Sequence, residues 1–564
     1  MPQSVLSLDR LRSLVPVPIA ETAWDDLLFA SKAELEGQDG DALTLSVTPD
    51  RLDLLSEGGL ALYLAGVLDA AQGLPPTLPR TAGPPSVTFE VDRSVDPLRP
   101  CIAGALVRAP ADGLLDADLL EEAVRFQEIL HATIGRDRRA ASLGIYPWER
   151  LEGPIRYAAE PVEGLRLVPL DGEEEVTGSK FFSEHPYAAR YGALGRSGDR
   201  CLVLRDHAGT VLSLPPILNA RAGGEARPGD RSLLLESTGL EERTVRDAVG
   251  LLLVVFAARG WEIEPVAVRR AGAPVDPGAA VVTPRPVDLP SELLRSITGE
   301  ALASAEVERR LSRSRLSPHP ADRGWRVDVP PWRPDLLTPV DLAEDVVIAA
   351  ALPAAAGIVP PSRTRGRRLA EGQFRRAIAV DLLGLGLAAP YTPLLVSEEV
   401  VARLGEPRPL RLRNPVSNEF AYLRDRLLLS HLGVLAHNTR HAYPQRFGEV
   451  GPVVMRDPTV DSGGRTRYHA GLVLAADGAG FAEAAALVDY LLRRLDVGSV
   501  REPVGVPGMI PGRSARCRVA GEPVAEIGEL DPAILTAIGV PVPTAWAEVD
   551  LTALWPLARR SERP

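Results

Sequence analysis

Apolar and charged residues alternate most clearly in the segment 325–329. Trp325, Val327 and Val329 are separated by charged residues, and this period of two predicts a strand with one buried face. Two prolines follow and end the strand, because proline cannot donate to a strand ladder. A helix is predicted next, since Thr338 is a favourable N-cap and Pro339 fits the first helical position, where no N–H is needed.

Four acidic residues surround the start of this helix. Asp335 lies in the preceding loop, and Asp341, Glu344 and Asp345 are three or four residues apart, so they share one helix face. Close carboxylates repel one another unless a cation neutralises them, and an all-oxygen cluster suits magnesium. Acids near a helix N-terminus also complement the macrodipole while facing solvent. The spacing alone leaves both interpretations open.

The remaining pattern predicts an α+β protein of several domains. Its 564 residues exceed the length at which single cores stop growing. Proline-rich and basic stretches divide the chain into four predicted segments, 1–95, 96–275, 288–357 and 370–564. The second mixes strands with long helices at 115–134 and 244–259. In the last segment, helices are predicted to pack on an antiparallel sheet.

Composition narrows the class of protein. The net charge of −12 argues against a chain whose main role is to wrap nucleic acid. Cys101, Cys201 and Cys517 lack metal-site spacing, which fits a reducing cytoplasm and no structural zinc. The N-terminus has no signal-peptide layout, and the longest apolar run, 248–258, is much shorter than the ~20 residues of a membrane span. We therefore expect a soluble, cytoplasmic protein that does not enter a membrane.

Local motifs predict no catalytic machinery. His437 and His441 are four residues apart, as zinc ligands can be, but no general-base glutamate follows His437. The chain contains no phosphate-binding Gly-x-x-x-x-Gly-Lys-Ser/Thr, no Gly-x-Ser-x-Gly and no Cys-x-x-Cys. Any activity must therefore come from residues brought together by the fold or from a partner.

Taken together, several short stretches resemble the β subunit of phenylalanyl-tRNA synthetase of the archaeal and eukaryotic-cytosolic type. Each stretch is weak alone, but their order and spacing cover nearly the whole chain. The stretches are 50–58, 131–138, 213–219, 236–239, 333–345, 414–417 with Arg424, and 512–513 with 527–530.

The resemblance implies a function for each segment. It implies an N-terminal module at 1–95, an editing domain at 96–275, a winged-helix-like domain at 288–357, and at 370–564 a domain shaped like a class II synthetase core without its active site. The family's α subunit charges tRNA(Phe) with phenylalanine and ATP, within an (αβ)₂ heterotetramer. Its magnesium position matches Asp335, Asp341, Glu344 and Asp345.

The resemblance also implies a pocket that hydrolyses mischarged Tyr-tRNA(Phe). By family match the pocket is lined by Leu204, Ser213, Asn219, Glu236 and Thr238. Glu236 stands where the family usually has Asp, and a carboxylate can accept a hydrogen bond from the tyrosine phenol. The competing interpretation is that Glu236 is a strand-end acid that faces solvent.

Some residues depart from the family pattern. Tyr146 and Pro147 stand where the family usually has a His-Asp pair, and Tyr187 replaces a usual lysine. Three hypotheses follow: a synthetase subunit with editing capacity, a subunit of a non-translational aminoacyl-transfer or ligase pathway with its own α-like partner, and a scaffolding or nucleic-acid-binding module. The first hypothesis is supported if a gene for an α subunit lies next to this one and the two form the genome's one synthetase pair.

Overall fold

A computed structural model describes residues 2–20, 24–349, 359, 364–405 and 409–561. The chain divides into two compact units, 1–358 and 359–564. The last residues of the predicted 288–357 segment, 350–357, lie outside the described part. The observed mixture of helices and sheets agrees with the predicted α+β class, whereas the four-domain division stays a prediction.

The first unit contains eighteen strands and twelve α-helices among its described residues. The strands are β1 Gln3–Ser7, β2 Ala33–Asp39, β3 Ala42–Val47, β4 Val87–Val91, β5 Cys101–Arg108, β6 Ala141–Pro147, β7 Ile155–Pro161, β8 Arg166–Leu167, β9 Val176–Thr177, β10 Arg196–Ser197, β11 Arg200–Arg205, β12 Val211–Leu214, β13 Leu218–Asn219, β14 Ser232–Gly239, β15 Glu262–Arg270, β16 Arg285–Pro290, β17 Ser317–Ala321 and β18 Gly324–Val329. The helices are α1 Leu8–Leu14, α2 Trp24–Ala30, α3 Glu57–Val67, α4 Ala117–Ala132, α5 Gly178–Glu184, α6 Pro186–Gly195, α7 Arg221–Gly224, α8 Glu242–Ala257, α9 Ala279–Val282, α10 Ser291–Thr298, α11 Ser304–Arg313 and α12 Pro339–Ile348.

A ten-stranded sheet dominates the first unit. Its order is β13-β12-β11-β7-β4-β15-β5-β14-β6, with β10 paired to β11. Strand β4 is parallel to both of its neighbours, and the other pairs are antiparallel. Because β4 pairs within this sheet, residues 87–91 belong with the segment that follows them and not with the predicted module 1–95.

Helix α8 packs in the core beside this sheet. Residues 248–257 are all buried, which explains the long apolar run, because a helix that is apolar on all sides is a buried helix. None of the helices in the described part of the chain combines the length and the apolar character that a membrane span requires.

The segment around α12 has a small core of its own. Strands β16, β18 and β17 form a three-stranded antiparallel sheet. Trp325, Val327 and Val329 face a cluster that also holds Leu342 and Val346 of α12, so the predicted period-two strand is confirmed. Helix α12 begins with the predicted capping box.

The second unit is an antiparallel sheet covered by helices. Its helices are α13 Ala370–Gly384, α14 Glu398–Leu404, α15 Leu428–His437, α16 Phe481–Arg494, α17 Pro532–Ala537 and α18 Leu551–Ser561. Its strands are β19 Leu395–Val396, β20 Leu410–Arg411, β21 Tyr422–Leu423, β22 Gln445–Arg456, β23 Gly464–Ala475, β24 Val500–Pro503, β25 Met509–Val519, β26 Glu522–Leu530 and β27 Thr544–Asp550. The main sheet has the order β22-β23-β27-β26-β25-β24, and its neighbours are all antiparallel. The predicted arrangement of helices on an antiparallel sheet is therefore present.

Candidate functional site

A cavity of about 280 Å³ lies against the end of the large sheet formed by β14 and β6. Its wall combines side chains of these two strands, of α4 and of the corner 213–219 that joins β12 to β13. Most of the lining is apolar, and a few polar groups converge on it. Such a combination is typical of a pocket for a small ligand.

Glu236 of β14 is the buried acid of this cavity. Its side chain is 2% exposed, so the interpretation of a solvent-facing acid is wrong. Burial raises the pKa of Glu236 to about 7, although the hydroxyls of Tyr146 and Thr238 and the charge of Arg99 lower it. Its Oε1 atom has no hydrogen-bond partner among the described residues. A buried carboxylate of this kind favours ligands that can donate a hydrogen bond.

Tyr146 of β6 supplies such a donor from within the chain. Its hydroxyl donates to Glu236 Oε2 at 2.8 Å and lies 2.9 Å from Ser213 Oγ. Burial and the nearby Glu236 raise the pKa of Tyr146 well above its usual value, so the phenol keeps its proton. Together, Glu236 and Ser213 therefore form a site that fits a phenol hydroxyl.

The structure brings together three of the five residues predicted for the pocket. Ser213, Asn219 and Glu236 line the cavity. Leu204 is buried in a neighbouring apolar cluster, and Thr238 lies beside Ser142, with 3.2 Å between their hydroxyl oxygens. These two do not line the cavity. The editing role of all five stays a prediction.

The sequence assigned no pocket role to Glu128, His131 and Arg138, which also line the cavity wall. Partial burial alone would raise the pKa of Glu128, but hydrogen bonds from His131 and Arg138 lower it to about 2. Because the Leu143 N–H donates to His131 Nε2 at 2.8 Å, the ring proton is on Nδ1 and points to Glu128. Arg138 also donates to the Ile217 carbonyl at 2.9 Å and so holds the corner of the pocket.

The turn that carries Arg138 has an unusual backbone. Arg136, Asp137 and Arg138 have φ values of 51°, 55° and 63°, a left-handed conformation that side chains rarely adopt in succession. Strain of this kind persists where surrounding contacts fix it, and it often marks functional segments. The polar residues 136–139 that follow Gly135 indicate a turn in the sequence, but sequence alone does not show that the turn reaches the pocket.

The acidic helix is a second candidate site, and a buried arginine dominates it. Arg333 is 2% exposed. It contacts Asp335 at 2.7 Å and Asp345 at 2.9 Å. Burial alone would raise the pKa of Asp335, but the Arg333 charge holds it below its usual value. Two of the four predicted metal ligands thus share an internal counter-ion.

The other two acids have separate partners. Asp341 Oδ2 accepts hydrogen bonds from the backbone N–H groups of Leu337 and Thr338, at 2.9 and 2.6 Å. Glu344, with a half-exposed side chain, pairs with Lys32 at 2.8 Å. Within the described ranges, no three His, Cys, Asp or Glu side chains are placed to hold one metal ion. The arrangement therefore does not fit a magnesium ion shared by all four acids.

An equivalent arginine pair lies in the N-terminal segment. Arg51 contacts Asp53 through Nε and Nη2, at 2.9 and 2.8 Å, and Arg333 contacts Asp335 through the same two atoms. The charge of Asp53 also acts on Arg333, so the two pairs are neighbours in one buried charge network. Each pair precedes a helix capped by Ser56 or Thr338.

Comparison with known families gives two matches. Residues 287–350 match the model of the tRNA synthetase B5 domain. Residues 357–551 match the model of the phenylalanyl tRNA synthetase beta chain CLM domain. Together the two matches cover the acidic helix and most of the second unit.

Individual proteins match over nearly the full length. The chain is 31% identical to the phenylalanine–tRNA ligase beta subunit of Natronomonas pharaonis, over 98% of this chain and 100% of that protein. It is 30% identical to the corresponding subunit of Korarchaeum cryptofilum, over 94% of this chain and 95% of that protein. An N-terminal fragment of the beta subunit from Pyrococcus horikoshii has a solved structure that is 27% identical, with a TM-score of 0.57, over 62% of this chain and 99% of the fragment.

Proposed function

The chain belongs to the family of phenylalanine–tRNA ligase β subunits and is thus a subunit of a ligase, and from this we propose two roles for it. It supports the ATP-dependent charging of tRNA(Phe) by an α subunit, and it hydrolyses mischarged Tyr-tRNA(Phe) in the cavity beside Glu236. The proposed assembly is an (αβ)₂ heterotetramer that binds tRNA.

The observation that supports selection of tyrosine for hydrolysis is the hydrogen bond between Tyr146 and Glu236. A tyrosine phenol fits between the Glu236 carboxylate and the Ser213 hydroxyl at ordinary hydrogen-bond distances. The same two groups can recognise the phenol of a mischarged tyrosine, whereas phenylalanine has no hydroxyl to offer. Deacylation assays on Tyr-tRNA(Phe) and Phe-tRNA(Phe) test this role, and we expect Tyr-tRNA(Phe) to be hydrolysed faster.

The need for such a site follows from the chemistry of phenylalanine selection. An apolar pocket rejects a ligand that merely adds a hydroxyl by only ~10²-fold. Tyrosine is phenylalanine with one added hydroxyl, so it escapes a first selection based on apolar fit. A second pocket that requires the hydroxyl removes the error, because it binds the wrong product and leaves the correct one.

The charging role predicts that activity depends on a partner. The purified chain alone should give no amino-acid-dependent exchange of pyrophosphate into ATP, because its sequence carries no ATP-handling motif. Addition of the α subunit should produce both exchange and aminoacylation of tRNA(Phe). The α subunit alone is the control. Exchange by this chain without any α subunit would contradict the proposed division of roles.

For the acidic helix we propose that Asp341 and Glu344 hold a hydrated magnesium ion in the assembled enzyme. Arg333 already neutralises Asp335 and Asp345, so these two act indirectly. The ion would replace Lys32 as the partner of Glu344. Magnesium commonly binds through one or two carboxylates and keeps several waters. The ion would supply positive charge, and no reaction step depends on it here.

This proposal predicts a change in assembly. The double substitution Asp341→Asn and Glu344→Gln should weaken the αβ complex to the same extent as EDTA weakens the unmodified complex. The quantity to measure is the dissociation constant of the complex, by analytical ultracentrifugation. EDTA should then have no further effect on the variant. The exposed pair Asp288→Asn and Glu292→Gln in the same segment provides the control. An unmodified complex that is insensitive to EDTA would count against the ion.

A further inference from the structure

The Tyr146 phenol occupies the place in which a ligand phenol would be recognised. Tyr146 is 1% exposed, and Tyr146, Ser213 and Glu236 all line the same cavity. The Tyr146 hydroxyl donates to Glu236, so Ser213 is the donor in the second bond. Both hydrogen-bonding capacities of this phenol are therefore used by the groups that the proposed substrate would require.

The register of the sheet explains how Tyr146 reaches this position. Glu236 lies opposite Gly144, and Tyr146 lies opposite Leu234, two residue pairs further along the strands. Tyr146 reaches Glu236 only by lying back over Gly144. A Cβ atom added at Gly144 would come within 2.1 Å of the Tyr146 hydroxyl oxygen. The glycine therefore creates the space that the phenol needs.

We propose that Tyr146 is a gate on the recognition site, an internal phenol that a ligand must displace from Glu236 and Ser213 and that a substrate tyrosine replaces. This inference rests on the proposed editing role and names the residue that controls access to its recognition site. The exchange replaces one phenol with another, so a tyrosyl ligand restores each hydrogen bond that it breaks.

A phenylalanyl ligand cannot make this exchange. It would displace the Tyr146 hydroxyl and offer none in return, leaving the Glu236 carboxylate buried without that bond. An unpaired buried acceptor carries the full cost of its desolvation. The gate thus lowers the affinity for both ligands through the bond between Tyr146 and Glu236. The difference between the ligands arises from the bond that only a tyrosyl phenol forms with Glu236.

The test is equilibrium binding of L-tyrosinamide and L-phenylalaninamide to the αβ enzyme, with the synthetic site of the α subunit filled by a non-hydrolysable phenylalanyl-adenylate analogue. Tyr146→Phe removes the competing hydroxyl and keeps the ring, and Tyr146→Ala removes both. In at least one of these variants, L-tyrosinamide should bind about tenfold more tightly than in the unmodified enzyme, the effect expected for one hydrogen bond to a charged group.

A matched control uses another buried tyrosine of the same sheet. The Tyr157 hydroxyl donates to the Arg99 carbonyl at 2.9 Å, and Tyr157→Phe should leave both affinities unchanged. L-Phenylalaninamide should gain affinity by a similar factor, because it too displaces Tyr146 in the unmodified enzyme, and the ratio of the two affinities should stay unchanged. If neither variant binds L-tyrosinamide more tightly, Tyr146 is not a gate, even where Tyr-tRNA(Phe) is hydrolysed. If binding tightens but the unmodified enzyme hydrolyses neither aminoacyl-tRNA, the gate stands and the editing role does not.

Discussion

Replacing Arg333 with methionine should destabilise the segment around α12 by about 3–5 kcal/mol, the range measured when one partner of a buried ion pair is removed. Arg333 neutralises Asp335 and Asp345, and Asp345 is itself 1% exposed. Methionine fills a similar volume but leaves these two carboxylates without their counter-ion. The free energy of opening, measured by hydrogen exchange of the α12 amides, should fall accordingly.

Two further variants separate charge from packing. Arg326→Met is the control, because Arg326 is exposed and its pair with Asp288 is a surface pair, worth about 0–1 kcal/mol. Adding Asp335→Asn and Asp345→Asn to Arg333→Met should restore part of the lost stability, since the unpaired charges are gone. An Arg333→Met protein whose α12 amides exchange as slowly as those of the unmodified chain would refute the role assigned to this arginine.

Replacing Glu236 with alanine should abolish the preference of the αβ enzyme for Tyr-tRNA(Phe) over Phe-tRNA(Phe). The preference expected for one hydrogen bond to a charged group is about 10–100-fold in kcat/KM. Without the carboxylate, the charged acceptor of the tyrosine phenol is gone, and the two substrates should react at similar rates. The ratio of the two kcat/KM values is the quantity to measure.

The same preference should depend on pH. Because burial raises the pKa of Glu236 to about 7, the carboxylate is protonated below that pH and ionised above it. An ionised acceptor makes the stronger bond with a phenol, so the ratio of kcat/KM values should rise as the pH increases through 7. Arg99 and Tyr146 also affect the pKa of Glu236, but neither changes its charge near pH 7. Arg99 stays charged and Tyr146 stays neutral. In Glu236→Gln the ratio should be smaller and independent of pH.

Another acid of the cavity provides a matched control for Glu236. Glu225 also lines the cavity, but it forms an ion pair with Arg227 near the surface. Glu225→Ala should leave the Tyr/Phe ratio unchanged. An equal loss of preference in both variants would show that the assay reports general damage to the pocket and not recognition by Glu236.

Local sequence patterns predicted the elements around α12 but not their electrostatics. The N-cap and the strand before it depend on neighbouring residues, and both are confirmed. The fate of the four acids depends on Arg333, which lies two residues before Asp335. The arginine of a short-range Arg-x-Asp pair competes with any metal for the carboxylate oxygens. Helix periodicity shows which acids share a face, but it does not show this competition.

Segments 50–56 and 332–338 share the pattern Arg-x-Asp-Leu-Leu-Ser/Thr, and this similarity shows how little a short motif establishes alone. Seven positions are too few to establish a repeat, yet both segments form an Arg-x-Asp pair followed by a capped helix. Their charges lie close enough to affect one another. That proximity arises from the packing of distant segments, which one sequence does not reveal.

The cavity was predicted only in part for a similar reason. Glu236, Ser213 and Asn219 follow from family resemblance, but the importance of Tyr146 depends on strand register. Glu236 lies opposite Gly144, and only a residue without a side chain there lets the phenol reach the carboxylate. The departure from the family at Tyr146 was visible in the sequence, whereas its contact with Glu236 was not.

The most direct test of the proposed editing role compares two substrates of the unmodified αβ enzyme. Tyr-tRNA(Phe) and Phe-tRNA(Phe) are incubated separately with enzyme at pH 8, without ATP or free amino acid, and the initial rates of deacylation are measured against a no-enzyme blank. We expect Tyr-tRNA(Phe) to be deacylated at least tenfold faster, as one charged hydrogen bond requires. Equal rates for the two substrates, each no faster than the blank, would contradict it.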